Sequence, residues 1–203
     1  MADIPEARVR RLVTEAVDRA LGESKSGAPA APVAAPAPDV SRRVAIGSDH
    51  GGFELKEALK RFIHDELGLE VRDLGTHSDA AVDYPDFAAA VGREVAGGRC
   101  GRGIVIDAAG IGSTMAANKI PGVRCALCHD DITATNAREH NDANVLALGA
   151  RIVNRGLAQR LTRLFLQTPF AGGRHERRVQ KIMALERGAA AGEPAPRGPG
   201  AGR

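Results

Sequence analysis

The chain has 203 residues, enough for one α/β domain with extensions, and its net charge of +3 is the small difference between 28 Lys/Arg and 25 Asp/Glu. Five Phe, one Tyr and no Trp leave few platforms for stacking bases, so the composition makes no case for a nucleic-acid partner. No apolar run approaches the ~20 residues that cross a bilayer, and charges throughout the N-terminal segment exclude a secretory core. Cys100, Cys125 and Cys128 are odd in number and lack a second ligand pair, which points to reduced, buried thiols in a cytosolic protein.

In chain order, Val9, Leu12, Val13, Ala16, Val17, Ala20 and Leu21 recur at three-and-four spacing and predict an amphipathic helix over 5–21. Residues 24–38 are rich in Ala, Pro, Gly and Ser and read as a tether. A helix on a tether has no adjacent core for its apolar stripe. It folds back, oligomerises, or docks on another protein. The body is read from about 43 to about 187. Strands are expected at 44–47, 69–74, 103–106, 123–127 and 145–148, alternating with helices at 53–67, 85–96, through 118, and at 132–140, followed by helices at 155–167 and 174–187. That alternation predicts an α/β fold, a parallel sheet covered on both faces, with ligands at the carboxyl ends of its strands. Residues 188–203 are Gly/Ala/Pro-rich and read as disordered.

Four segments could carry chemistry. Asp107-Ala108-Ala109-Gly110-Ile111-Gly112-Ser113 follows an apolar strand and opens a helix, so its backbone N–H groups could cradle an anion beside a carboxylate. Ser48-Asp49-His50 ends the first strand, where one of Ser48 and Asp49 is expected to cap the next helix. The run from Arg138 to Asn144 packs polar residues between a helix and a strand and suits capping as well as it suits a titrating His140. Arg174 and Arg178, four apart, share a helix face that is either solvated or a grip for one phosphate, and Arg151 could present a further cation.

Taken together these stretches resemble the type B ribose-5-phosphate isomerase family, which includes the subunits of galactose-6-phosphate isomerase. The matching segments are 46–56, 82–88, 110–112 with 116–119, and 137–144 through 148–151. The resemblance implies a three-layer α/β/α sandwich on a five-stranded, Rossmann-like parallel sheet. It implies a homodimer or a tetramer with shared active sites, and no metal or cofactor. It also implies interconversion of aldose and ketose phosphates through a cis-enediolate, with ribose 5-phosphate as the expected substrate and six-carbon sugars as the alternative. By the same resemblance Asp49 and His50 contact the sugar phosphate, and residues 108–112 lie under the enediolate oxygens. His140 assists ring opening, Asn141 and Arg151 bind substrate, and Arg174 and Arg178 of the partner subunit hold the phosphate. The chain departs from the family at the base: some members carry Cys at the position of Asp107, others Glu at that of Ser113, and Ala109 replaces a hydroxyl residue. Either Asp107 is the base, or the chain is a sugar-phosphate-binding partner subunit. The N-terminal helix and tether resemble the encapsulation peptides of bacterial microcompartments, which implies a cytoplasmic protein in a microcompartment lumen, held by shell proteins through residues 5–21.

Overall fold

A computed structural model describes Arg8, Arg11 and residues 39–191, the latter within one unit that begins at Asp39. Arg8 and Arg11 are helical and exposed. The rest of the helix read over 5–21, the tether and the tail beyond 191 lie outside the described residues.

Among the described residues five strands form one parallel sheet: β1 (Arg43–Ser48), β2 (Glu70–Asp73), β3 (Arg102–Asp107), β4 (Cys125–Leu127) and β5 (Val145–Gly149), in the order β2-β1-β3-β5-β4. Six α-helices accompany them: α1 (Phe53–Asp65), α2 (Tyr84–Ala96), α3 (Ile111–Ala117), α4 (Asp131–Glu139), α5 (Arg155–Gln167) and α6 (Arg174–Ala191). Alternate strand residues face opposite layers. Val44, Ile46, Ile104, Ile106, Leu146 and Leu148 pack with Leu59, Ile63, Leu161 and Phe165 of α1 and α5. Ala45, Val105, Val145 and Ala147 pack with Val91, Val95 and Ala117 of α2 and α3. The expected three-layer sandwich is therefore present, and central strands buried on both faces explain their continuous apolar runs. Helix α6 continues past Arg187 to Ala191 because Ala189, Ala190 and Ala191 favour helix. Residues Val40–Arg42 form a 3-10 turn capped by Asp39, so this unit begins slightly before the expected domain start at 43.

One charged cluster is buried at the flank of the sheet. The Lys56 side chain is fully inaccessible, its ammonium 2.8 Å from Asp73 Oδ2 and 2.6 Å from Glu57 Oε1, and Lys60 joins the same two carboxylates. Asp73 Oδ1 also accepts the Gly75 N–H at 3.0 Å, holding the turn after β2. Burial alone would raise the Asp73 carboxyl, but the hydrogen bonds from Lys56 and Lys60 outweigh it and hold it below the ordinary range. Hydrogen bonding from Lys56 does the same for Glu57. Since both folded-state values lie below the unfolded ones, the stability gained is complete above the ordinary carboxylate range and is lost as pH falls through it toward the folded values. Asp73→Ala is expected to cost about 3 kcal/mol in urea unfolding at neutral pH, because it leaves a buried ammonium short of a partner. Lys56→Met, which removes that ammonium, should cost less.

Candidate active site

The strand order reverses at β1: its chain successor β2 lies on one side and β3 on the other. The crevice between the carboxyl ends of β1 and β3 is where open α/β sheets bind ligands. Asp49 follows β1 there, and its backbone N–H donates to Ile106 O at 3.2 Å. Its side chain is almost buried and accepts the Gly52 N–H at 3.0 Å, capping a 3-10 turn over His50–Gly52. The capping role expected of Ser48 or Asp49 thus falls to Asp49. Ser48 Oγ is buried with no hydrogen-bond partner. His50 is exposed, and its Nδ1 faces the Val82 N–H at 3.3 Å. An N–H can only donate, so Nδ1 is the acceptor and Nε2 carries the proton in this arrangement.

Asp107 closes β3 with 5% exposure. Its Oδ1 accepts the N–H groups of Ala109, at 2.8 Å, and Gly110, and its Oδ2 accepts the Ser113 N–H at 2.8 Å. The loop is wound around its own carboxylate. This corrects the expectation that the whole loop turns its N–H groups outward: three of them point at Asp107, leaving those of Ile111 and Gly112, the first residues of α3, with no partner inside the helix. Gly110 takes φ +81°, which an L side chain rarely adopts, and a Cβ there would also lie 3.0 Å from Gly149 N. At Gly112 a Cβ would come within 2.5 Å of the Tyr84 ring. The glycines therefore let β5 and Tyr84 close on the loop. Ser113 is buried, whereas Ala108 and Ala109 are half-buried.

After β5 the Ala150 N–H donates to Asp107 O at 2.8 Å and the Arg151 N–H to Ala108 O at 3.0 Å, while the Arg151 side chain is exposed. Asp49, His50, the 107–113 loop and Arg151 are thus brought to one edge. A cleft of about 370 Å³ opens there, lined by Asp49, Asp107, Tyr84, Gly112, Ile111 and Met115, and His50 lines an adjoining one of about 310 Å³. Tyr84 and Met115 were not singled out from the sequence. The available signal was Gly112, whose missing side chain makes room for the Tyr84 ring.

The remaining candidates stand at the other edge. Helix α4 begins beyond the carboxyl end of β4 and returns to the amino end of β5, ending on His140 as its C-cap. The Gly103 N–H donates to Asn144 O at 2.9 Å and the Asn144 N–H to Arg124 O at 3.0 Å, so this turn sits at the start of β3 and β4. Arg138 and Arg124 clamp the Asp142 carboxylate at 2.8 and 2.9 Å, and Asn144 bonds Arg124 N and Gly122 O, each at 2.8 Å. The polar run accordingly divides. Arg138, Asp142 and Asn144 hold the turn, and His140 and Asn141 are left for other work, Asn141 exposed. Arg174 and Arg178 are exposed on the first turns of α6, joined to this corner by the Ala171 N–H on Glu139 O at 3.0 Å. The five residues of β5, about 16 Å of strand, separate the two edges. Within one chain, His140, Asn141, Arg174 and Arg178 do not meet Asp107.

The thiols supply no nucleophile at either edge. Cys125 and Cys128 are free, and burial pushes each up to about 12, so neither forms a nucleophilic thiolate near neutral pH.

Residues 44–182 match the model of the ribose/galactose isomerase family. The chain is 42% identical over 145 residues to ribose-5-phosphate isomerase B of Escherichia coli, covering 71% of this chain and 97% of that one. It is 46% identical over 145 residues to a putative sugar phosphate isomerase of Bacillus subtilis, with the same coverage. Among solved structures, ribose-5-phosphate isomerase B of Clostridium thermocellum superposes with a TM-score of 0.71 at 48% identity, over 72% of this chain and 99% of that one. The type B enzyme of Trypanosoma brucei gives 0.69 at 46% identity, over 71% and 98%.

Proposed function

Because the chain belongs to the ribose/galactose isomerase family, we propose that it interconverts ribose 5-phosphate and ribulose 5-phosphate, with Asp107 as the base. The observation that carries the reading is the Asp107 carboxylate held by three backbone N–H groups at the wall of a cleft it shares with Asp49. Oδ2 accepts one N–H and Oδ1 two, so Oδ2 is the oxygen with a lone pair to spare for a proton.

In the forward direction Oδ2 takes the proton from C2 of the open-chain aldose. The C–H electron pair becomes the C1–C2 double bond, and the carbonyl electrons move onto O1. The N–H groups of Ile111 and Gly112 are fixed beforehand near the oxygens where this charge develops, which favours the enediolate over the ground state. Return of the proton to C1, with the O2–H proton passing to O1 directly or by way of solvent and O2 becoming the carbonyl, gives the ketose. Asp49, His50 and Arg151 bind the sugar and its phosphate from the same chain.

The ring of ribose 5-phosphate must open first, and His140 is the proton donor for that step. Since His140 lies at the far edge of its own chain, the site is completed in a homodimer by His140 of the partner subunit. Asn141, Arg174 and Arg178 of the partner subunit bind substrate and phosphate beside it. Assay of the purified chain with ribose, allose and galactose phosphates tests the reading. Turnover of ribose 5-phosphate is expected to be fastest, and turnover of a hexose phosphate alone would replace the substrate assignment.

The N-terminal stripe over 5–21 directs the enzyme into a bacterial microcompartment by docking on shell proteins. Deletion of residues 1–38 is expected to keep kcat within about twofold, since the site lies wholly beyond Asp39, and to abolish co-purification with shell proteins. Unchanged co-purification would remove the targeting role.

A further inference from the structure

His175, next to Arg174 in the first turn of α6, is 8% exposed and has no place in the reading above. Its imidazole lies flat against that of His140, with ring centroids 4.1 Å apart and planes 3° from parallel. On its edge, Arg174 Nε stands 3.3 Å from His175 Nε2. A guanidinium nitrogen only donates, so Nε2 holds the lone pair, the ring proton is on Nδ1, and the ring is uncharged in this arrangement.

The surroundings agree with that protonation state. Glu139 and His140 of the α4 corner, and Arg174 and Arg178 of α6, are the charged and titratable groups that face the ring. Burial, then His140, Arg174 and Arg178, push the His175 imidazole below the ordinary histidine range, with Glu139 pulling weakly the other way. Two imidazolium rings at this separation would repel. A stack in which one member stays neutral leaves proton traffic to the other.

We infer that His175 is a positioning residue: its neutral ring fixes the plane of His140 and ties that ring to Arg174, so one side chain sets both the proton donor and the phosphate grip. This rests on the assignment of His140 to ring opening and of Arg174 to phosphate. It adds a consequence that neither assignment carries alone. Phosphate that draws Arg174 toward itself loads the same guanidinium that orients the stack, so a sugar lacking phosphate meets a less well placed His140.

The test uses the full-length chain with His175→Ala and His175→Phe, measuring kcat and KM for ribose 5-phosphate across pH and following the His140 ring signals by NMR titration. His175→Ala is expected to lower kcat about tenfold, part of the ~10²–10⁴-fold a positioned general acid supplies, and to move the basic limb of the kcat profile. His175→Phe keeps a flat face in the same space. It should return kcat to within about threefold of wild type while KM stays raised, because Arg174 has lost its acceptor. The His140 ring protons should lose their upfield ring-current shift in the Ala variant and keep it in the Phe variant. Wild-type kcat with unmoved His140 signals in His175→Ala would overturn the inference, as would rescue by His175→Gln and not by Phe. His140→Gln at full kcat would defeat the ring-opening reading instead. The NMR signals of His140 would still decide whether His175 places its ring.

Discussion

Asp107→Asn is expected to lower kcat for ribose 5-phosphate by roughly 10³-fold, the scale on which a positioned general base works. The substitution keeps the shape of the side chain and an amide oxygen that can accept from the loop. Its NH₂ group must, however, replace one carboxylate oxygen that now accepts N–H, either from Ala109 and Gly110 or from Ser113. Some loss of stability therefore accompanies the loss of chemistry, on the order of 1–3 kcal/mol for an unmatched buried group. The two effects separate in the measurement. KM and the urea midpoint report on loop geometry, and kcat at saturating substrate reports on proton transfer. A folded Asp107→Asn protein that turns over at more than about a tenth of the wild-type rate would take Asp107 out of the base role.

The second large effect is expected in a mixture. Asp107→Asn and His140→Gln chains should each be nearly inactive as homodimers. If each site takes Asp107 from one chain and His140 from the other, a mixed dimer holds one doubly defective site and one intact site. With random pairing of equal amounts half of the dimers are mixed, so about a quarter of wild-type activity should return. Were both residues drawn from the same chain, no site in any dimer would be intact, and the mixture would stay as inactive as its parts. The prediction joins the proposed homodimer to the fold. Residue 107 closes a strand at the carboxyl edge, and residue 140 ends a helix that has run back to the amino edge.

Most of the architecture was legible because each element wears its periodicity openly. Strands β1, β3 and β5 are apolar runs of the right length, and α1 and α5 carry their buried residues at helical spacing. Boundaries drifted where a local signal was weak. The short β4 begins at Cys125 and not at Val123, since Val123 turns into the α2–α3 layer ahead of the ladder. The chemistry was legible as a set of residue types, but its grouping was not. Nothing in the string of letters says that Asp107 wraps three N–H groups around itself, that Arg138 serves Asp142, or that His140 rests on His175. Those facts depend on loop conformation and on contacts between distant segments. The stretch from Arg138 to Asn144 shows the limit well: seven adjacent residues, of which the clamped ones and the outward ones differ only in where the turn at Asp142, with φ +44°, points them.

Ribulose 5-phosphate offers the most direct test, because its C5 hydroxyl is esterified and the ketose cannot close a five-membered ring. Proton exchange at its C1 in D₂O therefore reports enediolate formation alone, with no ring opening involved. The wild-type chain is expected to wash deuterium into C1 at a rate comparable to turnover. His140→Gln should keep much of that exchange, and Asp107→Asn should lose it. Exchange that persists undiminished in Asp107→Asn, or is absent from the wild-type protein, would contradict the assignment of proton transfer to the carboxylate at the end of β3.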